Sequence, residues 1–157
     1  PPQPTPVPPP QPTPVPPPPQ RPYFINYGFE QNETNLTWTF SGIALIINKA
    51  SVANSGSCFL KTKQNGYAET KIYLEPLNSA YVSIHYKTNN DSTWIKIQSP
   101  GSNSWKKVYL ALSNNYKLLS TTIPLISSGG IYTIRLGTDG QSDKGAFFDD
   151  LTISAYP

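Results

Sequence analysis

The sequence predicts an all-β protein, a jelly-roll β-sandwich of two antiparallel sheets. Three observations lead there. Apolar residues alternate with polar ones at period two in one run after another, and clusters of Asn, Ser and Gly divide the runs. No window sustains the i, i+3, i+4, i+7 apolar pattern of an amphipathic helix. Strands that are apolar on one face need a second sheet to cover that face, and a jelly roll does this with short antiparallel strands.

The runs follow in chain order. Ile72 and Leu74 alternate with Lys71, Tyr73 and Glu75, and Val82, Ile84 and Tyr86 with Tyr81, Ser83, His85 and Lys87. Ile95 and Ile97 alternate with Trp94, Lys96 and Gln98, and Val108, Leu110 and Leu112 with Lys107, Tyr109 and Ala111. Tyr132, Ile134 and Leu136 then alternate with Thr133 and Arg135, and Leu151 and Ile153 with Asp150, Thr152 and Ser154. Turn signals stand between them at Asn54-Ser55-Gly56, Asn65-Gly66, Asn89-Asn90-Asp91, Pro100-Gly101-Ser102-Asn103, Ser128-Gly129-Gly130 and Asp139-Gly140. Together they predict roughly eight to ten short strands. The link Thr88–Thr93 is short and polar, so the strands Tyr81–Lys87 and Trp94–Ser99 are expected to form a hairpin. That hairpin would put Tyr81, Ser83, His85, Trp94, Lys96 and Gln98 on one face of one sheet.

The strands begin only after residue 22. Fourteen of the first 22 residues are proline, and Pro2–Pro9 (PQPTPVPP) is repeated as Pro10–Pro17. Proline has a fixed φ and no N–H, so this stretch is expected to be a polyproline II linker, a semi-rigid spacer of roughly 65–70 Å. Residues 23–157 are left as one domain of ordinary size. A chain that starts inside a spacer is expected to be a piece of a longer polypeptide whose other domains and targeting signal lie upstream. Such a spacer is expected to hold the domain clear of another module or a cell surface, so that it works on something outside.

Composition excludes several functions. The net charge is +3, but the lysines are scattered apart from Lys106–Lys107, and the two arginines are Arg21 and Arg135. That is a solvated surface and not the basic stripe of a nucleic-acid binder. No run reaches the ~20 apolar residues of a membrane span, so no direct membrane insertion is expected. Cys58 is the single cysteine, between a turn signal and an apolar run, and is expected to be a buried small hydrophobe. His85 is the single histidine; no GxSxG elbow accompanies it, and apart from the adjacent Asp149 and Asp150 the carboxylates sit singly in turns or strands. The domain is expected not to be an enzyme.

Three segments carry a family resemblance. Tyr27-Gly28-Phe29-Glu30 with Trp38 close behind resembles the opening of jelly-roll carbohydrate-binding modules of the families 4, 9, 16 and 22 type, within the galactose-binding-like superfamily. Ser55-Gly56-Ser57-Cys58-Phe59-Leu60 is similar to their strand entry, and Phe147-Phe148-Asp149-Asp150-Leu151-Thr152-Ile153 to their closing strand. The order and spacing suit a complete module over Tyr23–Pro157. The closing motif is also similar to that of extracellular adhesion sandwiches.

The resemblance implies a structural Ca2+ ion, held by Glu30 and Asp149 with backbone oxygens at Gly28 and in the Ser55–Ser57 turn. Asp149 shares its parity with Leu151 and Ile153 and is therefore expected to point into the core, where an unpartnered carboxylate is costly. A calcium ion, backbone N–H groups or a Lys or Arg partner would satisfy it.

Sugars present apolar C–H faces and many hydroxyls, so their binding sites combine flat aromatic rings with planar polar groups. The outward parities supply that mixture, and the candidate carbohydrate-binding residues are Trp94, Tyr81, His85, Gln98, Tyr109, Arg135, Tyr73 and Tyr67, the last of which would suit a loop-built rim site. Trp38 is expected in the core, whereas Trp105 suits the sandwich edge and the site equally. The function expected is a non-catalytic module binding a polysaccharide of xylan, β-glucan, cellulose, mannan or pectin type, carried by an extracellular enzyme or a membrane-anchored glycan sensor. The rival is an adhesive or structural sandwich that binds protein, and its outward aromatics would gather in an apolar patch without polar partners.

Overall fold

The structure, a computed structural model, describes residues 23–157 apart from Ser142; the expected linker over residues 1–22 lies outside the described residues. Nine strands run in order: β1 (Tyr23–Tyr27), β2 (Trp38–Asn48), β3 (Cys58–Leu74), β4 (Ser79–Thr88), β5 (Thr93–Gln98), β6 (Lys106–Tyr109), β7 (Ser113–Thr122), β8 (Gly130–Thr138) and β9 (Gly145–Tyr156). No helix occurs among the described residues. Pairing follows the path β6-β5-β8-β3-β9-β4-β7, with β1 added on β9 and β2 on β3, and every pair is antiparallel.

The long strand β3 turns this curled sheet into a sandwich. Its first part pairs with β9 through Leu60↔Phe148, and its last part pairs with β8 through Thr70↔Ile134. Between them Gln64 and Asn65 take positive φ values of 51° and 59°. Opposite, β2 changes register between Ser41 and Ile43. Residues in the left-handed region break the pleat and bend a strand. The expected turn at Asn65-Gly66 is therefore a bend inside one strand that carries the chain from one sheet to the other. We call β6-β5-β8 with the end of β3 the front sheet, and β7-β4-β9 with β1 and the start of β3 the back sheet.

The core fills the space between them. Ile72, Leu74, Ile95, Ile97, Tyr132, Ile134 and Leu136 from the front sheet meet Leu60, Val82, Ile84, Tyr86, Phe148, Leu151 and Ile153 from the back. Burying each large side chain is worth about 1.5–3 kcal/mol, so these alternating runs dominate the fold. Cys58 is buried and free, as expected. Leu112 departs from its expected inward parity: β6 ends at Tyr109, and Leu112 is 57% exposed. Strand β7 shows no alternation in the sequence, because its side chains are exposed or half-buried and its two leucines, Leu118 and Leu119, are adjacent.

The expected β4–β5 hairpin does not form. β4 pairs with β7 and β9 in the back sheet, whereas β5 pairs with β6 and β8 in the front sheet. Their link arches across the end of the sandwich on a buried polar knot. Thr88 Oγ1 lies 2.6 Å from Thr93 Oγ1, the Asn90 amide donates to Thr88 Oγ1 at 3.0 Å, and Thr93 Oγ1 donates to the Asn90 carbonyl at 2.8 Å. A short polar link suits an arch as well as a hairpin. Burial of Val82 and Ile84 in one sheet against Ile95 and Ile97 in the other decides between them.

Candidate functional site on the front sheet

Antiparallel pairing aligns the outward residues of β6, β5, β8 and β3 into cross-strand rows. One row reads Tyr109, Trp94, Gly137, Tyr67, and the next reads Lys107, Lys96, Arg135, Glu69. Beyond them come Gln98, Thr133 and Lys71, and then Ile131 with Tyr73. An aromatic row thus lies beside a row of charge.

The aromatic row depends on its glycine. A Cβ on Gly137 would stand 2.7 Å from Trp94 Cη2 and 2.7 Å from Tyr67 Cβ, so only hydrogen fits under the indole. Trp94 spreads over that gap with its ring centroid 6.4 Å from that of Tyr67. Cations cover the rings: Lys96 Nζ is 3.9 Å from the Trp94 centroid, and Lys107 Nζ is 4.3 Å from that of Tyr109. The Arg135 guanidinium sits 4.6 Å from Tyr67 and 4.4 Å from Trp105. Such contacts are worth about 0.5–2 kcal/mol each, depending on desolvation.

Two of the cations have carboxylate partners. Arg135 Nε donates to Glu69 Oε2 at 2.7 Å, and Lys107 Nζ donates to Asp139 Oδ2 at 2.6 Å. Desolvation is the largest single influence on the Asp139 carboxyl and would raise it, but the hydrogen bond from Lys107 and the positive charges of Lys107 and Lys96 act together to bring the group below its usual range. Lys96 has no carboxylate within ion-pair distance among the described residues. Burial, with repulsion from Lys107 and Arg135, lowers its ammonium against the opposing attraction of Asp139.

Six of the eight sequence-derived candidates meet here: Tyr67, Tyr73, Trp94, Gln98, Tyr109 and Arg135. Tyr73 and Tyr109 are each 61% exposed, and Gln98 Nε2 donates to the Ser102 carbonyl at 2.7 Å. Tyr67 belongs to the sheet face and its row, not to a rim loop. Trp94 faces outward as expected yet is 2% exposed, because Lys96 and its neighbours cover it. Tyr81 and His85 are not on this face; they point outward from the back sheet, since the hairpin that was to join them to Trp94 is an arch. Parity suits Trp105 to the edge and the site equally and marks no role for Lys107 or Glu69. Only strand register brings them together.

The motif residues meet at the edge of the back sheet. Phe29 is fully buried at φ 62°, its ring edge-on to Tyr27 and 5.4 Å from Trp38, which packs against the core. Glu30 Oε1 accepts the amides of Ser57 and Cys58 at 2.7 and 2.8 Å, which hold its carboxyl below the usual range. A Cβ on Gly56 would lie 2.2 Å from that oxygen, which explains the glycine of the strand-entry motif. Glu33 accepts the Gly28 and Glu30 amides. A cavity of about 290 Å³ opens between Gly28, Glu30, Glu33, Ser55 and Asp150.

Asp149 is fully buried, but not by pointing into the core. It pairs with the outward His85, while Thr152 pairs with Ser83, so β9 carries an extra residue between them. Asp150 sits in that bulge at φ 49°. The bulge reverses the parity on which an inward Asp149 was expected. The β2–β3 loop buries Asp149 instead, its Asn54 and Ser55 amides donating to Oδ2 at 2.7 and 3.1 Å. Desolvation nevertheless pushes the Asp149 carboxyl up to about 6. Among the described residues no three His, Cys, Asp or Glu side chains gather as a metal-binding group.

No protein-family model matches the chain, and no curated protein matches it. Solved structures do. TmCBM61, solved in complex with β-1,4-galactotriose, superposes with a TM-score of 0.57 at 19% identity, over 80% of this chain and 92% of that one. The CBM22-1 xylan-binding domain from Paenibacillus barcinonensis Xyn10C gives 0.59 at 14% identity, over 83% and 92%. The K1 cleaved adhesin domain of Lys-gingipain from Porphyromonas gingivalis W83 gives 0.61 at 10%, over 86% and 99%. At these identities the likeness is one of fold. The chain has the antiparallel β-sandwich fold of the carbohydrate-binding modules that its opening, strand-entry and closing motifs resemble.

Proposed function

We propose that the chain is a non-catalytic, extracellular carbohydrate-binding module that holds a polysaccharide against the outer face of the front sheet. The observation that carries this reading is the pair of rows in which Tyr67, Trp94 and Tyr109 lie beside Arg135, Lys96 and Glu69. Aromatic rings supply the apolar platform for sugar C–H faces, and the flanking donors and acceptors meet the hydroxyls. An adhesive sandwich would leave its aromatics without polar partners, which these rings do not lack. The named ligands of TmCBM61 and the CBM22-1 domain, galactotriose and xylan, support a polysaccharide partner. The proline-rich stretch would tether the module to other domains of an enzyme or glycan sensor.

The test is affinity gel electrophoresis of the 157-residue chain in xylan, β-glucan, mannan and pectin, with a pull-down on cellulose. Retardation by one polymer that weakens in Tyr109→Ala and Trp105→Ala, but not in Tyr81→Ala on the back sheet, supports the reading. No retention by any polymer overturns it.

A structural calcium ion at Glu30, Asp149 and the Gly28 backbone belongs to the same proposal. Hard oxygen donors suit calcium, and Glu30 Oε2 makes none of the hydrogen bonds that occupy Oε1. Melting with calcium and with chelator checks it. A rise with calcium that is absent in Glu30→Gln supports the ion, and equal melting under both conditions removes it without touching the glycan reading.

A further inference from the structure

We propose that the front face selects an acidic polysaccharide, with Lys96 contacting the carboxylate of a uronic acid residue. This rests on the glycan-binding reading and names its substrate class. Lys107, Lys96 and Arg135 are direct register partners across β6, β5 and β8, so three cations stand side by side. Directly opposed residues have Cβ atoms about 4.5–5.5 Å apart, and like charges at that spacing destabilise a sheet. The row bears two such contacts.

Carboxylates form direct ion pairs only with its ends, and Asp139 attracts Lys96 from beyond ion-pair distance. Glu69 takes Arg135 and Asp139 takes Lys107, while the central Lys96 has no ion-pair partner among the described residues. Its ammonium lies over the Trp94 ring, already partly stripped of water and repelled by Lys107 and Arg135. A carboxylate delivered there would relieve both repulsions at once. It would also gain a charge-assisted hydrogen bond, and Arg135 offers a planar fork within the same row.

Ring faces and cations are coupled in this arrangement. When Lys96 turns toward a bound carboxylate it leaves the indole, which opens the Trp94 face to a sugar. A neutral glycan must displace the ammonium without such compensation. One uronate thereby uncovers the platform for its own ring or for its neighbour's.

Affinity electrophoresis with polygalacturonate and with its carboxyl-reduced derivative tests the inference, because the two polymers differ only at the acid group. Polygalacturonate is expected to bind about tenfold or more tighter, the measure of one charge-assisted hydrogen bond. Lys96→Gln should remove that preference, and Lys117→Gln on the back sheet should keep it. Equal binding of both polymers, or a preference untouched by Lys96→Gln, overturns the uronate assignment and leaves glycan binding standing. Equal retention by dextran sulfate overturns it in favour of general polyanion attraction. Failure to bind any glycan removes the functional reading itself. The comparison of the two polymers needs no variant, so it holds even if Lys96→Gln folds poorly.

Discussion

Gly137 lies beneath the Trp94 indole, and a Cβ at that position would stand 2.7 Å from Cη2 of the ring. The same atom would press on Tyr67 Cβ at 2.7 Å and on the Gly66 carbonyl at 2.8 Å, so the backbone on one side cannot yield. Gly137→Ala is expected to cost about 1–3 kcal/mol by overpacking. Urea unfolding would show it as a lower midpoint at unchanged slope. It would also lift the indole from the sheet and weaken polysaccharide binding beyond the loss of stability.

The Lys96 ammonium shields that indole from above. Lys96→Ala is expected to expose Trp94 and increase acrylamide quenching of tryptophan fluorescence, with Trp38 and Trp105 as a constant background. A bound ligand should restore protection in the variant. Quenching identical to wild type would mean that other neighbours bury the ring.

The β4–β5 arch rests on hydroxyls that find partners only in each other and in nearby backbone. Thr93→Val removes the two hydrogen bonds of the Thr93 hydroxyl, while Thr88 Oγ1 keeps the amide and the carbonyl of Asn90 as partners. The expected cost is about 0.5–1.5 kcal/mol, the net worth of a lost buried hydrogen bond whose other partners stay satisfied. Thermal unfolding would register it, and binding by the folded fraction should stay at the wild-type level.

Asp149 sets a pH dependence of stability. Its carboxyl is raised to about 6 in the folded chain by desolvation, against about 3.9 in an unfolded one. The folded state therefore holds the proton to higher pH. The resulting stabilisation is complete below about pH 4 and is lost as pH rises through about 6. In chelator, the melting temperature is expected to fall across that window, and Asp149→Asn should flatten the fall. A parallel slope in both proteins would show that Asp149 is not the titrating group.

Much of the fold is legible in the sequence because burial follows period two. Ile95 and Ile97, Tyr132, Ile134 and Leu136, and Val82 and Ile84 all enter the core as their alternation demands. The motif glycine Gly56 and the carboxylate of Glu30 also meet as neighbours, since one needs the space that the other leaves. Trp94, Gln98, Tyr109, Arg135 and Tyr73 are marked as outward by the same parity, whereas Tyr67 reads as a loop residue and joins the face only through the register of β3.

Alternation assigns a residue to a face but not to a sheet, and it fails at any inserted residue. For Tyr81 and His85, a six-residue polar link could not say whether it turned back or crossed over, and tertiary burial of the two flanking strands sent them to the opposite sheet. For Asp149, one extra residue at Asp150 exchanged core for outer face. Residue types and their parity, which depend on local backbone geometry, were determined by the sequence itself. The row Lys107–Lys96–Arg135–Glu69 was decided only by the tertiary structure, because register joins strands far apart in the chain and depends on how both sheets close over one core.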